Sequence, residues 1–202
     1  MQLFGLAHAR QLARSLLLSQ KLARLPICVE RMRFDEKQIV IDSLEHYCVL
    51  TAETIDKLCA GNIAALRDGC TLVRQRGNRR IYVILYNARA ASRRRRSFTL
   101  AHEIGHIYLE HQDDSPASER QANAFAAELL MPRVLAFKYI STLPPKVDRP
   151  SALAEAFGVS LSMAYTQLSA AYPGITYTEQ EKQLLARYKT ALPYPNEPEV
   201  RY

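Results

Sequence analysis

Two histidines four residues apart, His102 and His106, enclose a glutamate, Glu103, that directly follows the first of them. On a helix this spacing brings both imidazoles to one face, where neutral ring nitrogens at about 2.0–2.1 Å share one zinc ion. Glu103 lies about 100° further round the helix, so it flanks such an ion instead of ligating it. A carboxylate in that place can take a proton from water, and a general base beside a Lewis acid is the minimum equipment for hydrolysing a peptide bond. Strings of this kind also arise by chance on surface helices. Here, however, Phe98, Leu100, Ala101, Ile104, Ile107, Tyr108 and Leu109 make the surrounding helix mostly apolar. Buried imidazoles need partners for their ring nitrogens, and a metal supplies one.

Zinc hydrolases usually present three protein ligands and keep one position for water. His111 is the nearest candidate for the third, but it falls about 180° from His102 on a continued helix. Sites with a third histidine need a glycine where this chain has Leu109, and the histidine here comes one residue early. Glu110 is about 12 Å along the axis from His102, too far to join the pair. A second helix is announced by Ser115-Pro116 and ended by Met131-Pro132, and it carries Glu119 and Glu128 nine residues apart, on opposite faces. The Glu119 face continues through Asn123, Ala126 and Leu130, polar and then small, which suits close approach to the histidine helix. Spacing therefore favours Glu119 as ligand, with Asn123 placed to hydrogen-bond a ligating side chain. Glu128 is read as a solvated or salt-bridged carboxylate.

The stretch from Arg96 to His106, Arg-Ser-Phe-Thr-Leu-Ala-His-Glu-Ile-Gly-His, followed by Glu119-Arg-Gln-Ala-Asn-Ala-Phe-Ala-Ala-Glu-Leu-Leu-Met-Pro132, resembles the ImmA/IrrE family of zinc metallopeptidases. The resemblance implies His102 and His106 as zinc ligands, Glu103 as the catalytic glutamate and Glu119 as the third ligand. Leu25-Pro26 and the segment from Asp68-Gly69 to Asn87 resemble further parts of the family, whereas residues 33–67 do not, and nothing is transferred to them. The resemblance also implies that the strand before the metal helix, Arg80 to Asn87, offers its edge to an extended substrate. A DNA-binding transcriptional repressor is the implied protein substrate, whose cleavage switches on the genes it silences.

Net charge is +7, from 27 basic and 20 acidic residues. The densest basic run, Arg93 to Arg96, is expected to end just before the metal helix, where its field would favour an acidic partner or nucleic acid. No apolar run approaches the length of a membrane span. The segment from Leu3 to Leu25 has four cations and no acid, as in a transit sequence, but its leucine spacing describes an amphipathic helix closed by Pro26. It is taken as a mature, cytoplasmic start. Cys28, Cys48, Cys59 and Cys70 show neither paired nor finger spacing and are expected to be reduced thiols.

Thr71–Gln75 and Arg80–Tyr86 are expected to be two strands joined at Gly77-Asn78. Prolines between residues 143 and 150 mark a linker, after which Ala154, Gly158 and Ser160 fit a helix-turn-helix. Between Ser151 and Gln180 there is no lysine or arginine, so direct DNA binding by this unit is not expected. The expected fold class is α+β: a zincin-like metallopeptidase domain over residues 1–140 with a small β-sheet, a helical extension over 141–192 and an extended tail over 193–202. Tyr108, His111, Tyr139 and the arginine run are candidates to steady the oxyanion, and the sequence does not choose among them. Two other classes compete with a zinc endopeptidase: a regulatory protein that keeps zinc for structure, and a helix-turn-helix DNA-binding regulator. The sequence carries no indication of oligomeric state.

Overall fold

The computed structural model describes residues 2–21, 23–58, 68–89, 92–169 and 176–193. Helix α1 (Gln2–Ser19) buries Ala9, Ala13, Leu16 and Leu17, a stripe at helical spacing. It stops earlier than the expected Leu25, with the Ser19 hydroxyl donating to the Leu16 carbonyl at 2.8 Å. After a short 3-10 turn, strand β1 (Gln38–Ser43) leads into helix α2 (Leu44–Thr51), capped by the Ser43 hydroxyl on the His46 N–H at 3.1 Å. A single turn, α3 (Ile55–Leu58), follows. Cys59 and the end of the unfamiliar 33–67 region lie outside the described residues; none of Cys28, Cys48 and Cys70 forms a disulfide.

Strands β2 (Gly69–Arg76) and β3 (Arg79–Tyr86) form the expected antiparallel hairpin, longer than its sequence pattern suggested. Gly77 holds φ 59° in the turn, a left-handed value that glycine adopts without penalty. The sheet order is β1-β3-β2, with β1 parallel to β3. This corrects one expectation: β3, the strand thought to offer its edge to a substrate, is the central strand and is paired on both sides. Among the described residues, the unpaired edge on the cleft side belongs to β2. Both faces of the sheet are covered, as Ile84 enters the main core while Val83 and Leu85 pack with Leu44 of α2 in a smaller cluster.

Helix α4 (Arg93–Tyr108) carries the two histidines and buries Leu100, Ala101, Ile104 and Ile107. The arginine run is its first turn, not a segment preceding it. Cations there oppose the helix dipole, and two are offset by acids: Arg95 Nε lies 2.6 Å from Asp68 Oδ1 and Arg96 Nε 3.6 Å from Glu30 Oε1. Helix α5 (Pro116–Leu130) begins as the sequence announced, with Pro116 in the first turn and the Ser115 hydroxyl accepting the Ser118 N–H at 3.2 Å. Glu128 on α5 is buried and paired with Arg14 Nη1 of α1 at 3.0 Å, so of its two expected states only the salt-bridged one applies.

Helices α6 (Arg133–Ile140), α7 (Arg149–Phe157), α8 (Leu161–Ser169) and α9 (Glu179–Arg187) follow among the described residues. Gly158 ends α7 at φ 64°, and the Ser160 hydroxyl accepts the Met163 N–H at 3.2 Å at the start of α8, the arrangement its helix-turn-helix spacing suggested. Leu153, Phe157, Ala164, Leu184 and Tyr188 share one hydrophobic core with Leu17, Leu100, Ile104 and Phe125. The core therefore runs without a break across the linker expected after residue 140. Of the expected tail, only Pro193 is described. The whole is an α+β body: a three-stranded sheet, a zincin-like pair of helices and a helical extension.

Candidate active site

Residues from two helices converge in a cleft of about 760 Å³. One helical turn sets His102 and His106 side by side on α4 with their Nε2 atoms 3.0 Å apart. From α5, Glu119 brings Oε2 to 3.4 Å from His102 Nε2 and Oε1 to 3.2 Å from His106 Nε2. Close helix packing makes this reach possible: a Cβ on Gly105 would stand 3.2 Å from both the Ala122 carbonyl and the Phe125 Cβ. Glycine within the histidine motif lets α5 approach α4, at some loss of helix propensity.

The donor set fits a divalent metal. Two nitrogens and a carboxylate are the ligand types of hydrolytic zinc, and ligand atoms about 2.0–2.1 Å from a tetrahedral ion stand about 3.3 Å from one another. The separations found, 3.0, 3.2 and 3.4 Å, match that edge length. These three residues form a group able to hold a metal ion. Burial lowers the pKa of His106, and His102 adds to the fall against Glu119, which favours the neutral form that ligates. On its far side His102 Nδ1 lies 3.0 Å from Asn123 Oδ1, the contact foreseen for Asn123.

Glu103 faces the cleft beside the cluster. Burial pushes its carboxyl above the usual carboxylate range, opposed by the Thr71 hydrogen bond and by His102, with Glu119 and Asp114 pushing it further up. An elevated carboxyl is the condition of an effective base near neutral pH. Thr71 of β2 donates its hydroxyl to Glu103 Oε2 at 2.5 Å and so fixes the carboxylate against the sheet. Sequence reading missed Thr71, because no spacing relates a strand threonine to a helix that begins more than twenty residues later. Thr71→Val should lower kcat about ten- to a hundredfold, as expected for a hydrogen bond to a charged group, with metal content unchanged. Steady-state kinetics beside metal analysis checks this, and an unaltered kcat would remove Thr71 from the machinery.

Glu128 points away from the cluster toward α1, so the two α5 carboxylates lie on opposite faces as their spacing required. His111 lines the cleft and touches His106, with Nδ1 atoms 3.2 Å apart. Tyr108 and Tyr139 are not among the described lining residues. Tyr108 stacks on Phe125 at 5.9 Å, where burial pushes its phenol up to about 12, and Tyr139 packs against Phe157. The arginine run also lies elsewhere, at the opposite end of α4, with Arg94 and Arg95 lining a separate cavity of about 460 Å³. Among the described residues the main cleft is instead lined by one arginine, Arg80, and five carboxylates: Glu103, Glu110, Asp113, Asp114 and Glu119. Its walls do not favour the acidic segment that the arginine run had suggested.

No helix among the described residues is long and apolar enough to cross a membrane. No curated protein matches the chain. The family model described as the IrrE N-terminal-like domain, a peptidase family, matches residues 68–169, just over half of the chain, and that span runs from the start of β2 through both metal helices to the end of α8. Sheet edge, paired histidines, facing glutamate and matched span agree, and the chain belongs to the IrrE N-terminal-like peptidase family.

Proposed function

We propose that the protein is a zinc-dependent endopeptidase acting in the cytoplasm on a DNA-binding transcriptional repressor. The observation that carries the hydrolytic part is the convergence of His102, His106 and Glu119 within 3.0–3.4 Å of one another, with Glu103 held beside them by Thr71. These residues would hold the ion, which when bound supplies Lewis acidity for the scissile carbonyl. Glu103 takes a proton from water as the water oxygen bonds to the carbonyl carbon. As the C–N bond breaks, Glu103 delivers that proton to the leaving nitrogen and returns to its ionised form. A structural zinc site has no use for such a carboxylate, which favours the enzyme over a purely regulatory zinc protein.

Gly69, Thr71 and Val73 of β2 line the cleft, and among the described residues the outer edge of β2 is unpaired. An extended peptide adding to that edge would be held by backbone hydrogen bonds and laid across Glu103. Such a mode suits a loop or linker that can straighten. The choice of a repressor rests on the family resemblance, and the carboxylate-rich cleft favours a segment of it that is not acidic. The test is to incubate the intact protein and zinc with a repressor encoded nearby. One discrete cut that abolishes operator binding is expected. Digestion of unrelated unfolded proteins, with the repressor left whole, would overturn the substrate assignment.

A further inference from the structure

Helix α4 does not continue past Tyr108. The Leu109 N–H bonds to the Gly105 carbonyl at 2.9 Å, the Glu110 N–H to Ile107 at 3.4 Å and the His111 N–H to His106 at 3.1 Å, with Glu110 at φ 55°. This is a Schellman closure, in which a left-handed residue lets the chain satisfy the last helical carbonyls. A glutamate adopts that conformation at some cost, and Lys37 Nζ holds its carboxylate at 2.7 Å. The turn folds His111 back over His106, so that the two rings meet edge to face at 78° with centroids 4.9 Å apart.

The contacts beyond that meeting define where the protons sit. His111 Nε2 lies 3.1 Å from Gln121 Oε1. An amide oxygen only accepts, so in its neutral form His111 carries its hydrogen on Nε2 and presents a lone pair at Nδ1. In that tautomer the lone pair faces His106 Nδ1 at 3.2 Å, and His106 is the donor. A histidine protonated on Nδ1 has Nε2 free, and His106 Nε2 is the atom that faces His102 and Glu119. Gln121 in turn reaches toward α1, where Gly5 leaves room for its amide: a Cβ there would come within 2.6 Å of Gln121 Nε2.

We propose that His111 and Gln121 form a relay that fixes the His106 proton on Nδ1 and thereby sets the affinity of the site for its metal, with His111 a positioning residue. The relay rests on the reading of His106 as a ligand. It gives α5 a double role, since Asn123 serves His102 directly while Gln121 serves His106 through His111.

The test is zinc affinity of the full chain, measured by competition with a chromophoric chelator, together with thermal midpoints of the metal-free forms. His111→Phe keeps an aromatic ring and removes the acceptor, and it should weaken zinc about 10–100-fold, the usual cost of losing an outer partner of a ligating histidine. His111→Asn places an amide oxygen near the lost Nδ1 and should restore affinity to within about threefold of wild type. Gln121→Met should weaken zinc in the same direction by a smaller factor. Unchanged affinity in His111→Phe, or equal loss in His111→Phe and His111→Asn, would overturn the relay. Should His111→Phe fail to fold, Gln121→Met decides, since wild-type affinity there rejects the relay. If the wild-type chain itself takes up no zinc, the ligand assignment fails and the relay with it. Wild-type binding with indifferent variants sinks the relay alone.

Discussion

Glu103→Gln is expected to abolish measurable peptide hydrolysis while leaving the metal and the fold in place. The carboxylate makes no contact that the metal cluster needs, and glutamine occupies the same volume beside Thr71. What disappears is the ability to accept a proton from water and return it to the leaving nitrogen. Positioned acid–base catalysis contributes about 10²–10⁴ in rate, so kcat/KM should fall by at least about a hundredfold. Zinc content and the thermal midpoint should stay at wild-type values. Hydrolysis within about threefold of wild type would show that another group is the base, and Asp114, whose charge reaches Glu103, would be the next candidate.

The two carboxylates of α5 should separate metal binding from stability. Glu119→Gln removes a charged ligand and should weaken zinc by more than the roughly 10–100-fold that outer-sphere changes cost. Its side chain is 41% exposed, so the fold should tolerate the change. Glu128→Gln should do the reverse. Burial pushes the Glu128 carboxyl up, and Arg14 pulls it back down; Arg10 and Arg133 add to that pull. Without the negative charge Arg14 keeps a partly buried cation with a weaker partner. Breaking a buried pair costs up to about 3–5 kcal/mol, which should appear as a lower thermal midpoint with zinc retained. Metal analysis and calorimetry on both variants read this out, and equal zinc loss in the two would sink the ligand assignment.

Much of the site was legible because helices carry their information locally. Four-residue spacing fixed the face of His102 and His106, nine-residue spacing separated Glu119 from Glu128, and Ser115-Pro116 marked where α5 begins. Features that depend on distant pairing were not legible. Strand β1 has Val40 50% exposed and lies in a stretch with no hairpin signal, and only its parallel register with β3 makes it a strand. Without β1, the second strand of the hairpin looks like an edge, and with it that edge passes to β2. A continued helix puts His111 on the far side from His102, whereas the left-handed Glu110 turns the chain back. Arg93 to Arg96 could be counted but not located, since Ser92 caps α4 four residues earlier than the charge pattern implied.

Uptake of zinc by the intact chain tests the central claim most directly, because every chemical role assigned to His102, His106, Glu119 and Glu103 depends on an ion at that place. Metal-free protein titrated with zinc, and then analysed for bound metal after desalting, should hold about one zinc per chain. His102→Ala and His106→Ala should each hold almost none. A wild-type chain that emerges without zinc, or variants that retain it in full, would contradict the account.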